Sequence, residues 1–234
     1  DSYVDELFSF APAFGATMLK ANFTRSYIDV NRAMDDLDPT MIDGVLPFAL
    51  EPTERTYNGY GLIRHLCRGQ NVYAQRLTAA QIQQRLLECY QPYHLALKKL
   101  LDTAHRQNGE VWHLNCHSMP SNAATSHRPD FVLGDLDGTS AGADYSHVLG
   151  DMLQRMGYSV AYNNPYKGVE IVRRSGHPRA GFHSVQLEIN RALYMNEDTL
   201  ELTEHAPTLK NDLDKFVGHI REWIIAQLQS EQMA

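Results

Sequence analysis

The chain alternates short apolar runs with polar, turn-rich stretches, and the spacing within each run predicts its element. After Thr78, the residues Ile82, Leu86, Cys89, Tyr93, Leu97, Leu100 and Ala104 recur at three- and four-residue steps. That is the single apolar stripe of an amphipathic helix. Pro92 falls inside the stretch. It lacks a backbone N–H, so it must kink the helix or open a second one. Gly109 is placed to close the helix as a C-cap. A second stripe, Leu209, Leu213, Phe216, Ile220, Ile224 and Leu228, predicts a last helix over about 208–228. Helices are also expected over 3–8 and 143–156.

Strand signals come from β-branched and aromatic residues and from alternation. They predict strands at "VWHLN" (111–115, ending at Cys116 and His117), "DFVLGD" (130–135), "SVAYN" (159–163) and "FHSVQLEIN" (182–190). Two more are expected over 16–21 and 26–30, where "SYIDV" has the composition of a buried strand. Residues 33–60 carry Pro39, Gly44, Pro47, Pro52 and Gly59 and read as a loop. A loop of that length is functional or ordered by packing. Strands alternating with helices predict an α/β fold in three αβα layers. The 234 residues fit one such domain, with no internal repeat, low-complexity tract or linker.

Composition narrows the function. An apolar fraction of 43% with 21% charged residues is that of a globular protein. The net charge is −7 and no Lys/Arg run stands out, so no nucleic-acid partner is expected. No apolar run reaches the roughly 18 residues of a membrane helix, and no signal peptide opens the chain. A soluble cytoplasmic protein with no membrane partner is expected; the oligomeric state is not legible. Cys67, Cys89 and Cys116 form no CxxC pair, which disfavours a disulfide framework or a thiolate zinc cluster and suits reduced thiols. The chain has no initiator Met and opens inside a predicted helix, so a fragment is expected.

In α/β sheets, function gathers where strands end, and three polar clusters fall at such ends. The first is Asp29, Asn31 and Arg32 in "IDVNR". There an Arg can grip a carboxylate bidentately, or simply form a structural ion pair. The second is Asn115 to Ser118, in which His117 suits a metal ligand or a base, or a satisfied half-buried histidine. Ser118 is adjacent to His117 and cannot face it as a triad partner, and Cys116 alternates away from it. The third is Glu188, in an apolar strand with Gln186 and Asn190 on its face. A carboxylate in such a run costs free energy unless it is paired or coordinated; a structural pair with Arg191 or another cation is the plain alternative. HExxH is absent. "GDLDGTSAG" matches neither a P-loop nor a dinucleotide fingerprint.

Eight strings in order, "DSYVDELF", "FTRSYIDVNR", "NGYGLIR", "RLLECYQPYHLAL", "NCHSM", "RPDFVLGDLDGTS", "NPYKG" and "HSVQLEINRALYMNE", resemble N-formylglutamate amidohydrolases. They span roughly residues 1 to 198. The resemblance implies a mixed central sheet between helix layers, similar to zinc carboxypeptidases and aspartoacylases. It implies hydrolysis of an N-acyl amino acid, N-formylglutamate in the type case, in histidine breakdown. By that likeness His117 is a zinc ligand, and Asp1, with Asp5 as fallback, is the acidic ligand. Zinc itself rests on the likeness, since a His/carboxylate site also admits Mn, Co or Fe. Asn31 and Arg32 would hold the substrate's carboxylate, and Glu188 would be the general base. Lys167, Arg173 and His183, near the matching strings, are candidates for the substrate pocket. Two departures stand out. The family's early "PHSG" string, source of another His ligand, is absent, and Val169 follows Gly168 where relatives have a second glycine. A non-catalytic carboxylate-binding protein, or a hydrolase of another N-acyl amino acid or peptide, is the alternative.

Overall fold

Alternation along two long strands organises the molecule. In "FHSVQLEIN", Val185, Leu187 and Ile189 point to one side and are fully buried, while Ser184, Gln186, Glu188 and Asn190 point to the other. The computed structural model describes residues 1–67, 69–121 and 128–231. In chain order its regular elements are α1 (Val4–Leu7), β1 (Ile42–Asp43), α2 (Glu54–Tyr57), β2 (Leu66–Cys67), β3 (Gln70–Asn71), β4 (Leu77–Thr78), α3 (Ala79–Arg85), α4 (Gln91–Asn108), β5 (Val111–Met119), β6 (Phe131–Gly134), α5 (Ala143–Arg155), β7 (Val160–Tyr162), α6 (Glu170–Ser175), β8 (Phe182–Asn190) and α7 (Ala206–Glu231). The chain divides into two compact units. The first comprises Asp1–Met18, Leu101–Gly168 and Val172–Ala234, and the second Leu19–Leu100 with Val169–Ile171.

The first unit holds a mixed four-stranded sheet in the order β5-β8-β6-β7. β5 runs parallel to β8, β8 antiparallel to β6, and β6 parallel to β7. One face carries the core: Phe131, Leu133, Val185, Leu187 and Ile189 meet Tyr145 and Leu149 of α5 and Leu213 and Phe216 of α7. Burying each such side chain is worth about 1.5–3 kcal/mol. On the other face, His105 near the end of α4 stacks on Phe182, with ring centroids 4.3 Å apart. Helices thus flank both faces of a mixed sheet, as the α/β reading expects. Gly134 ends β6 without a side chain for a reason: a Cβ there would come within 2.6 Å of Lys167 and Gly168 backbone atoms, so the "NPYKG" segment can lie directly on the strand.

The second unit has only two-stranded pairings, β1 with β4 and β2 with β3. Thr78 caps α3 in a capping box with Gln81. The helical stripe then passes through a π-helical turn, Leu86–Tyr90, before α4. Pro92 lies inside this continuous run directly after the π turn, so its missing N–H falls where the α-helical ladder is already interrupted. Gly109 closes α4 with φ +80°. The expected strands over 16–21 and 26–30 do not form. Thr24 starts a turn that takes the N–H groups of Tyr27 and Ile28, and the Asp29 side chain accepts from Asn31 N. Ile28, Asp29 and Val30 are buried, Ile28 fully so, but the segment pairs with no strand: beyond the turn, Asp29 N donates to Leu62 O and the carbonyls of Ser26, Tyr27 and Val30 bond side chains of Tyr73, Arg85 and His94. The loop after residue 33 is ordered by Asp36, whose carboxylate accepts from Thr53 N and from the hydroxyls of Thr53 and Thr56. Among the described residues no helix is long and apolar enough to cross a membrane.

Candidate active site

β5 and β8 lie parallel with Asn115 opposite Gln186, His117 opposite Glu188 and Met119 opposite Asn190. Paired residues of parallel strands face the same way, so His113, Asn115, His117, Ser184, Gln186, Glu188 and Asn190 share one face. The structure extends β5 four residues past the expected "VWHLN", because the strand keeps its partner through Met119. Hydrogen bonds order this polar face. Gln186 Nε2 donates to Glu188 Oε1 at 2.9 Å, and His113 Nδ1 lies 2.8 Å from Ser184 Oγ. Burial, reinforced by His117, pushes the His113 imidazole down to about 4, so it is neutral at physiological pH. Asn115 Nδ2 is buried and has no hydrogen-bond partner among the described residues. Cys116 points to the apolar face, where burial pushes its thiol up to about 12. A thiol that weakly acidic is no nucleophile near neutrality.

Asp1 reaches His117. Its Oδ2 is 3.1 Å from His117 Nδ1, and its Oδ1 accepts from Ser118 N at 3.0 Å. Asp5 lies half-buried in the first turn of α1. Two atoms bound to one tetrahedral ion at about 2.0–2.1 Å are roughly 3.4 Å apart. The Asp1–His117 spacing suits either a hydrogen bond or two corners of one ion's shell. In type and spacing these donors fit a metal, and they offer two corners of it. Among the described residues no three of His, Cys, Asp or Glu cluster closely enough to hold an ion.

The Arg191 alternative for Glu188 gives way: Arg191 bonds Ser118 instead, with Nε 3.1 Å from its Oγ. His183 lies on the core side of β8. Its Nδ1 accepts from Gly142 N at 2.9 Å, its Nε2 is 3.4 Å from Glu110, and its ring stacks on Trp112. Both ring nitrogens are committed on the face away from Glu188, a structural placement rather than the pocket role expected of it. Lys167 forms an exposed ion pair with Asp137 at 2.7 Å, and Arg173 sits exposed on α6.

Within the second unit, Asp29 takes two hydrogen bonds from Arg25, at 2.8 and 3.1 Å. Arg32 Nε is more distant, 3.9 Å from Asp29. Burial alone would raise the Asp29 carboxyl, but Arg25 and Arg32 outweigh it and hold it below the usual carboxylate range. Arg32 is buried, and burial draws it below its ordinary value against the pull of Asp29. Its Nε donates to Tyr60 O at 3.0 Å, and its two terminal amino groups bond nothing among the described residues. The backbone beneath is pinned from the π turn and α4: Tyr90 OH donates to Arg32 O at 2.8 Å, and His94 Nε2 lies 2.9 Å from Val30 O. Asn31 Oδ1 accepts from Ile171 N at 2.9 Å. The open fork suits a carboxylate.

Sequence reading misses His113 and Ser184, and it places Asn115 in the second cluster without a role of its own. Their signal was the period of two itself, which sets polar residues at every second position of both strands.

The family model for N-formylglutamate amidohydrolase matches residues 1–195. N-formylglutamate deformylases of Pseudomonas putida and Pseudomonas aeruginosa are each 30% identical over 207 residues, spanning 84% of this chain and 71% of theirs. A crystal structure of N-formylglutamate amidohydrolase from Ralstonia eutropha JMP134 is similar with a TM-score of 0.93 and 41% identity, over 96% of this chain and 83% of that one. A gene product of Agrobacterium tumefaciens, 17% identical, shares the fold at a TM-score of 0.59 over 99% of this chain and 77% of its own.

Proposed function

The chain belongs to the N-formylglutamate amidohydrolase family, and from that premise we propose that it hydrolyses the amide bond of an N-acyl amino acid, N-formyl-L-glutamate first among them, to formate and glutamate. The observation that carries this reading is the register of His117 with Glu188 on one buried polar face, with the Asp1 carboxylate 3.1 Å from His117. His117 and Asp1 would hold a divalent ion, zinc first. A bound ion there would lower the pKa of a coordinated water and polarise the acyl carbonyl. Glu188 takes the proton of the attacking water and returns it to the leaving amine. Gln186, bonded to Glu188 Oε1, fixes the carboxylate's orientation. Arg32, with Asn31 beside it, holds a carboxylate of the substrate through its open fork.

The test is elemental analysis and turnover on the natural protein beside His117→Ala. About one zinc per chain, lost in the variant together with hydrolysis of N-formylglutamate, is the expected result. Full hydrolysis by a metal-free His117→Ala protein would refute both the ligand and the site.

A further inference from the structure

We propose that Arg191 is a positioning residue that, through Ser118, holds the Asp1 carboxylate against His117. The inference rests on the reading of His117 and Asp1 given above. Arg191 opens a 3-10 turn, Arg191–Leu193, just after β8, and the turn is capped by Asn190, whose side chain accepts from Ala192 N. The turn returns Arg191 to the end of β5. There its Nε donates to Ser118 Oγ at 3.1 Å and its Nη2 to Ser118 O at 3.2 Å. The third nitrogen is 3.8 Å from Glu197, and Glu197 Oε1 accepts from Ser121 N at 2.7 Å.

Ser118 hands the constraint on. Its backbone N–H donates to Asp1 Oδ1. Tyr194, whose backbone N–H donates to Arg191 O at 3.1 Å, gives its hydroxyl proton to Ser2 O at 3.0 Å. An arginine only donates, so both bonds run from Arg191 to Ser118, in a buried setting where a satisfied polar network rigidifies its members. Ser118 is 5% exposed and Tyr194 fully buried. The anchor of Asp1 therefore leads back through Ser118 to one guanidinium, three residues beyond Glu188. Its fork takes both oxygens of Ser118 at once, which a lysine cannot reproduce.

The experiment compares Arg191→Met and Arg191→Lys with the natural protein in three readouts. These are hydrogen exchange of the Ser118 amide without metal, zinc affinity by chelator competition, and kcat and KM on N-formylglutamate. Arg191→Met is expected to keep its far-UV circular dichroism while its Ser118 amide exchanges about tenfold faster. It is expected to bind zinc about 10–100-fold more weakly and to lose kcat with KM little changed. Arg191→Lys is expected to recover part of each loss. A folded Arg191→Met protein with Ser118 exchange and zinc affinity near those of the natural protein overturns the proposal. The amide readout needs no metal, so a natural protein that binds no zinc sinks the metal reading while the exchange still decides Arg191. If Arg191→Met does not fold, Arg191→Lys decides: Ser118 exchange faster than in the natural protein supports the proposal, and unchanged exchange overturns it.

Discussion

β5 and β8 present two faces made by the same backbone, and the two obey different rules. On one, Leu114, Cys116, Val185, Leu187 and Ile189 pack against α5 and α7; their worth is stability. On the other, buried polar groups stand at alternate positions, and one of them, Asn115 Nδ2, has no partner among the described residues. Polar burial of that kind weakens a fold. A strand that keeps it on one face and a saturated core on the other separates chemistry from cohesion within a few ångströms. Substitutions on the two faces should therefore fail in different assays.

The sharpest break in that comparison is Glu188→Gln. It removes a charge and keeps the volume, so kcat should fall by about 10²–10⁴ with the urea midpoint unchanged or higher. Near-normal turnover in the folded variant would remove Glu188 from the reaction. Leu187→Ala, one residue earlier on the apolar face, should do the reverse. It should cost about 2–5 kcal/mol of stability, read by denaturant titration, while kcat of the folded fraction stays close to normal. A selective loss of kcat there would mean that the faces are not separable.

Acid should act on the polar face next. His113 is pushed down to about 4, whereas in the unfolded chain it titrates near 6.5. Between those values the unfolded state binds the extra proton, so stability contributed by neutral His113 is full above about pH 6.5 and lost as pH falls toward 4. The loss approaches roughly 3 kcal/mol. His113→Phe should flatten that limb of the stability–pH curve; an unaltered limb would assign it to other groups. The smallest effect is expected from Asn115→Leu, which deletes an unmatched donor. Without ligand the variant should be as stable as the natural protein or more so by about 1 kcal/mol. A clear loss in the urea midpoint would show that the Asn115 amide is satisfied in solution.

What the sequence reveals depends on whether a residue's environment is local. The alternation of β8 and the stripe of α7 are local periods, and both elements form where the pattern puts them, with Phe216 and Leu213 buried as the stripe requires. The segment at Ser26–Val30 misleads because burial and strand pairing favour the same residue types, and only the partner, here a turn from Thr24, tells them apart. Glu188 was legible as a carboxylate out of place in an apolar run. His117 and Asp1 are 116 positions apart, so their meeting was accessible through family likeness and not through spacing. His183 shows the limit of proximity in sequence: five residues before Glu188, it is turned by strand alternation to the opposite side.

The π-helical turn at Leu86–Tyr90 is a local widening that leaves the helix unbroken. A π turn advances less per residue than the roughly 100° of an α-helix, so it sets the direction in which the following segment faces. Tyr90, the last residue of the turn, and His94, one turn on, hold the Arg32 and Val30 carbonyls from there. The path of the chain at Arg32 is thus matched to an irregular turn of the helix, not to a regular one.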